Sequence, residues 1–311
     1  MTGALAALQE QLPSPVADAD LIVGTSAGSV LAAALRCGVS PEQMIAHQRG
    51  AAIGALLELG PPDLGGSPLP PPPQLRIGSP RLMLNTLLTP HRVHPWVAAS
   101  AWLPQGRARH AALHAMVHAM VSHARGNSVA PQAAASDWAA DGRTWIIAVD
   151  YDSGRRVAFG RDGAPPAPLP DAVVASCSIP GWYRPAMIDG RRYVDGGIRS
   201  ATSAALLARA GLDEAYVLAP MASLVTDRPR RPHERLERRF RRLITLALRR
   251  EIALLRSLGT RVTVLTPGPE DLAVMGANLM DPRRRAKVLE TSLRTSAAAL
   301  ALAQPDQTSA A

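Results

Sequence analysis

The sequence predicts an α/β fold, a mainly parallel central sheet with helices on both faces. Three observations carry this. Strand-length apolar runs alternate with helical segments, a strand–turn–helix unit stands near the N-terminus, and 311 residues with 47% hydrophobic and 19% charged side chains suffice for one large core.

Asp20-Leu21-Ile22-Val23 reads as a buried strand, and Ser29 to Cys37 as a helix closed by Gly38. Ser40-Pro41-Glu42-Gln43 supplies an N-cap, a first-turn proline and a Gln three residues in, so a second helix is expected to run to about Leu59. Prolines and glycines dominate from Gly60 to Gln74, which predicts a loop. Residues 75–136, rich in Ala, His and Met with helical periodicity, read as an insertion or lid. Trp145 to Tyr151 and Arg156 to Phe159 read as strands joined by the turn Asp152-Ser153-Gly154. Ala215 to Ala219 and Arg261 to Leu265 read as further buried strands. Between them an arginine-rich helix over 233–258 places Leu236, Phe240, Leu243, Ala247, Leu254 and Leu258 near one stripe, predicted to pack on the sheet. The expected organisation is a single domain over 1–300, with a Pro-rich loop and helical insertion at 60–140, and a flexible tail at 301–311.

Thirty-four basic against 25 acidic side chains give a formal net charge of +9. Such a surface favours anionic partners and says nothing of the fold. Cys37 and Cys177, each in an apolar stretch, read as reduced buried thiols of a cytoplasmic protein. Met1 to Gln11 has no basic segment leading into a hydrophobic run, and no apolar stretch reaches membrane-span length.

Gly24-Thr25-Ser26-Ala27-Gly28 matches the G-x-S-x-G pattern of a nucleophile elbow. The pattern needs small residues two before and two after the serine, because the strand-to-helix turn leaves no room for side chains there. It aims the serine Oγ at a helix N-terminus, where backbone N–H groups face developing negative charge. A predicted strand before it and a predicted helix after it supply the required context.

A nucleophilic serine needs a base. Only His233 follows Asp195, and it sits in the basic turn Pro229-Arg230-Arg231-Pro232-His233-Glu234, a poor place for a catalytic imidazole. A Ser–Asp dyad fits better than a Ser-His-Asp triad. Asp195 is the candidate base, since Tyr193-Val194 can end a strand and Gly196-Gly197 allows the sharp turn that brings a carboxylate close.

These residues carry a family resemblance. Gly24 to Ser29 resembles the nucleophile segment of the patatins, and Val194-Asp195-Gly196-Gly197 resembles the Asp-Gly-Gly motif that supplies the rest of their dyad. Ala148-Val149-Asp150, and Ala175-Ser176-Cys177-Ser178-Ile179-Pro180 running on to Pro185, are similar to intermediate segments in the same order. Together they cover about residues 4–200.

The resemblance implies a three-layer α/β/α fold and a lipid acyl hydrolase that needs no metal or cofactor. Its substrates would be phospholipid or neutral-lipid esters, cleaved through an acyl-enzyme on Ser26 with Asp195 as base. Family members carry a glycine-rich oxyanion segment on a strand before the elbow. Gly3 to Leu8 resembles the helix that follows that segment, so the first strand and its donors are expected to be missing, with Met1 assigned downstream of the true start. The backbone N–H of Ala27 is the oxyanion donor that remains. The alternative is a catalytically impaired relative serving as a lipid- or protein-binding module.

His110, His114, His118 and His123 share helical spacing, but no nearby Asp, Glu or Cys completes a ligand set, so no metal is expected. The arginine-rich helix could meet an anionic membrane from the cytoplasmic side. No interleaved aromatics or DNA-binding motif point to nucleic acid.

Overall fold

The computed structural model describes residues 1–51, 73–74, 76–126, 143–225, 232–276 and 281–303. Most of the Pro-rich loop, residues 127–140 of the insertion and 304–311 of the tail lie outside the described residues; the helix expected to run to about Leu59 instead ends at Gln48, where Gly50 at φ 88° turns the chain out of the helix. In chain order the helices are α1 (Thr2–Gln9), α2 (Ala27–Arg36), α3 (Pro41–Gln48), α4 (Pro80–Leu88), α5 (Pro95–Ser100), α6 (Ala111–Gly126), α7 (Leu169–Cys177), α8 (Pro232–Ser257), α9 (Pro269–Met275) and α10 (Arg285–Ala303). The strands are β1 (Ile22–Thr25), β2 (Thr144–Asp150), β3 (Arg156–Phe159), β4 (Ala186–Ile188), β5 (Arg191–Asp195), β6 (Glu214–Leu218) and β7 (Arg261–Leu265). The α/β class holds, and the strands at 145–151, 156–159, 215–219 and 261–265 fall within a residue of their predicted places. Among the described residues no helix is long and apolar enough to cross a membrane.

The chain divides into two compact units, one built from Ala19–Ser40 and Ala52–Arg199, the other from Met1–Asp18, Pro41–Ala51 and Ser200–Ala311. The first contains a five-stranded sheet that is mixed, where the pattern predicts a mainly parallel one. β1 pairs with β2 in parallel, whereas β2–β3, β2–β5 and β4–β5 are antiparallel. The reason is connection length: a parallel neighbour needs a long crossover, and two of these links are tight turns. Gly154 N donates to Asp150 O at 2.8 Å, and Asp150 Oδ1 accepts from the backbone N–H groups of Asp152 and Ser153, closing the turn from β2 to β3. Asp189 (φ 45°) and Gly190 (φ 69°) close the turn from β4 to β5, with positive φ at both central positions of a type I′ hairpin.

The registers set the site. β1 ends on β2 at Thr25 opposite Ile147, and β5 ends on β2 at Asp195 opposite Ala148. β3 spans Ile146 to Val149, so it takes the other edge of β2, and β1 and β5 share one edge. Running in opposite directions, they stop head to head at adjacent residues. Ile146 to Val149 are fully buried, which fits a strand paired on both edges.

The segment after Gly78 packs beneath this sheet. Leu82, Val93, Val97 and Ala101 form a core cluster with Val149, Tyr151 and Val194. Tyr151 Oη donates to Ser100 O at 2.7 Å, and Arg192 donates to Gly78 O at 3.0 Å and Ser79 Oγ at 2.9 Å while pairing with Asp152.

In the second unit β6 and β7 pair in parallel. Leu248, Ile252 and Leu255 of α8 pack with Val217 and Val262. Leu265 joins Ala4, Leu8 and Leu300 of α1 and α10. This corrects the predicted stripe of α8: Leu236, Phe240, Leu243, Leu254 and Leu258 are exposed. The helix carries two apolar stripes about a third of a turn apart, and the core takes the other one.

Tyr151→Phe removes the shorter of two hydrogen bonds to the buried Ser100 carbonyl, which keeps Leu103 N at 3.2 Å, and should lower the stability of the chain by about 0.5–1.5 kcal/mol. The loss is read as a lower melting midpoint in a thermal scan.

Candidate active site

Ser26 stands between the end of β1 and the first turn of α2 with φ 53° and ψ −125°, a conformation non-glycine residues rarely adopt. Holding it there costs on the order of 1–3 kcal/mol, offset by the contacts around it. Ser26 N donates to Ser176 Oγ at 2.9 Å, and Ser176 Oγ donates to Ile147 O at 2.7 Å, so the turn hangs from β2 through one hydroxyl. On the other side Ser26 O accepts from Ser29 N at 2.8 Å and Ser29 Oγ at 2.6 Å.

The glycine requirement is physical. A Cβ on Gly24 would sit 2.5 Å from Gly28 O and 2.6 Å from Ser29 Cα, both backbone atoms that cannot yield. Thr25 and Ala27 flank the serine as the pattern predicts. The N–H groups of Ala27 and Gly28 lie in the first turn of α2, where no intrahelical acceptor exists, at the positive end of the helix dipole.

Asp195 comes to Ser26 from the opposite strand end. It is buried, 4% exposed, and its carboxylate accepts a hydrogen bond from Gly197 N at 2.7 Å and lies within interaction range of the Ser26 side chain. Its own N–H donates to Ser178 O at 2.9 Å. Gly196 is confined as tightly as Gly24, since a Cβ there would lie 2.5 Å from Ile147 O. Desolvation pushes the Asp195 carboxyl up to about 6, while the hydrogen bonds from Ser26 and Gly197 pull the other way. The two residues singled out from the sequence are thus in side-chain contact, and no described histidine hydrogen-bonds either of them.

Around this pair stand groups the sequence reading missed. Ser176 and Ser178 belong to a run quoted only for its resemblance, and each proves to hold one half of the pair. No periodicity signals such a role. Cys177 Sγ lies 3.7 Å from Ser29 Oγ, and burial with the nearby Asp195 carboxylate pushes its thiol up to about 12, so it stays protonated. His110 Nε2 lies 3.0 Å from Cys177 O and its ring stacks on Tyr183 at 3.7 Å, while burial lowers its pKa. His114 Nε2 meets Asp171 Oδ1 at 3.1 Å. His110 and His114 therefore take separate partners on and beyond α7, while His118 stacks on His114. Among the described residues no three His, Cys, Asp or Glu side chains form a metal-ligand set.

Chemically, the arrangement offers a hydroxyl beside a buried carboxylate whose pKa is raised to about 6, next to backbone donors at a helix N-terminus. Gly24→Ala should cost about 1–3 kcal/mol through the backbone clash it creates. A thermal melt of the variant against the unaltered chain reads that loss.

No curated protein matches this chain. The profile of the family described as patatin-like phospholipase matches residues 1–208, a span that contains both Ser26 and Asp195. That match covers more than half of the 311 residues, and with it the chain belongs to the patatin-like phospholipases, a family of lipid acyl hydrolases.

Proposed function

We propose that this chain hydrolyses fatty-acyl esters of phospholipids or neutral lipids with Ser26 as nucleophile and Asp195 as general base. The observation that carries the reading is the approach of the Ser26 side chain to a buried carboxylate at a strained strand-to-helix turn, where β1 and β5 end against one edge of β2. Asp195 takes the Ser26 proton as Oγ attacks the ester carbonyl. The resulting oxyanion faces the N–H of Ala27. Collapse expels the alkoxide, which leaves as the alcohol with the proton from Asp195 and forms the acyl-enzyme. Water, deprotonated by Asp195, then attacks the acyl carbonyl and releases the fatty acid from Ser26. The cycle draws on no metal or cofactor.

A base titrating near 6 suits this task, because it is ionised at neutral pH yet basic enough to accept a proton in the transition state. Ser26→Ala and Asp195→Asn should each lower p-nitrophenyl butyrate turnover by at least about a thousandfold with the fold retained by circular dichroism. Ester release independent of Ser26 would sink the proposal. Absence of any release by the unaltered chain would instead favour a catalytically impaired lipid- or protein-binding relative.

The kcat/KM of the unaltered chain should rise with pH through a midpoint near 6 as Asp195 ionises. Stability should move the other way. A carboxyl whose pKa is raised by folding favours the folded state when protonated, a contribution present below the ordinary aspartate range and lost as pH rises through about 6. Asp195→Asn should therefore melt higher than the unaltered chain at neutral pH, and the gap should close below about pH 4.

A further inference from the structure

The sequence from Leu64 to Ser136 contains no Asp or Glu, although the chain as a whole carries 25 acidic side chains. The described part of this run in the first unit has two faces. Inward, Leu82, Val97 and Ala101 are fully buried against Val149, Tyr151 and Val194. Outward, Leu84, Leu87, Leu88, Trp96, Trp102 and Leu103 are exposed, Leu87 by 74%.

The outward residues follow a pattern. Leu84, Leu87 and Leu88 stand at i, i+3 and i+4 on α4, which puts them on one face, and Leu82 on the opposite face anchors the helix. Trp96 lies in the first turn of the short helix α5, and Trp102 follows its end. Exposed arginines border this apolar surface at Arg81, Arg92, Arg107 and Arg109. Exposed apolar side chains with tryptophans, and exposed arginines of which Arg81 lies 4.0 Å from Asp152, match the two layers of an anionic bilayer surface, an acyl boundary beneath a row of phosphates.

The surface is tied to the candidate site. Gly78 N donates to Leu103 O, Ala108 N to Trp182 O and Arg184 N to Ala108 O, so the chain leaving it is bound to the turn after Ser178, the residue whose carbonyl holds Asp195 N. Leu103 also lies beside Gly181, 3.7 Å from where a Cβ there would stand.

We propose that the outer face of residues 84–103 is a docking surface for anionic phospholipid bilayers, holding the first unit at the lipid surface. The inference deepens the hydrolase reading by naming the surface from which substrate is taken, and its test does not depend on turnover. The whole chain should float with vesicles of phosphatidylcholine containing about one-third phosphatidylglycerol. It should float far less with phosphatidylcholine alone, and the anionic binding should weaken as salt screens the arginines. The double substitution Leu87→Ser with Leu88→Ser, and separately Trp96→Ser, should each reduce partitioning at least about tenfold, because apolar area no longer leaves water on docking. Since these side chains are exposed and lie outside the Ser26–Asp195 contact, circular dichroism and p-nitrophenyl butyrate turnover should stay unchanged. Ser26→Ala should bind as the unaltered chain does.

Equal partitioning of the unaltered chain and the leucine and tryptophan variants would overturn the proposal. So would loss of binding in Leu243→Ser with Leu254→Ser on α8 while the Leu87/Leu88 variant still binds. Concentration-dependent self-association abolished by the Leu87/Leu88 change, without vesicle binding, would reassign the face to contact between copies. Vesicle binding that persists without any Ser26-dependent ester release would leave this proposal standing and remove the hydrolase reading.

Discussion

Everything at the site depends on two strands ending against the same edge of β2. Because β1 stops opposite Ile147 and β5 stops opposite Ala148, the residue after one strand and the last residue of the other are brought within hydrogen-bonding reach. A one-residue slip of either ladder would turn its side chains to the opposite face and separate them. The Ile147 carbonyl is the pivot of the arrangement: it accepts from Ser176 Oγ and lies against Gly196, so both halves of the pair are referred to a single backbone group. Ser26 and Asp195 are far apart in sequence, and the sheet supplies what chain proximity does not.

The electrostatics follow from this crowding. Asp195 loses water when the strands close around it, which raises its pKa, and only partial compensation comes from Ser26 and Gly197. A carboxylate with more donors would be better stabilised as an anion and a weaker base. The same burial acts on Cys177, the second nucleophile type nearby, but with the opposite functional result, since a thiol held above neutrality is inert.

Much of this was legible in the sequence, for reasons that differ by residue. The elbow is readable because steric exclusion at Gly24 restricts the residue type, and Asp195 because the glycines after it mark a turn at a strand end. β1, β2 and β3 are readable singly and β5 only as a strand end before Asp195, whereas β4 stays hidden in the sequence analysis although the Asp189-Gly190 dipeptide is a hairpin signal for the antiparallel β4–β5 pair. The stripe of α8 misled because periodicity finds every apolar stripe on a helix and cannot say which one tertiary packing covers. Ser176 was beyond reach altogether. Its hydroxyl matters only because folding sets it between Ile147 and Ser26, 150 residues earlier in the chain.

The cluster beneath the sheet, in which Leu82, Val97 and Ala101 meet Tyr151 and Val194, has a mechanical meaning. Val194 immediately precedes Asp195, so the outer segment and Asp195 are fastened to the same patch of core. Swinging that segment away as a flap would strip Leu82 and Val97 of their burial, at a cost of about 1.5–3 kcal/mol for each side chain. The outer segment is therefore fixed to the sheet on its inner face and cannot act as a hinged flap, so whatever meets its outer face meets a rigid surface.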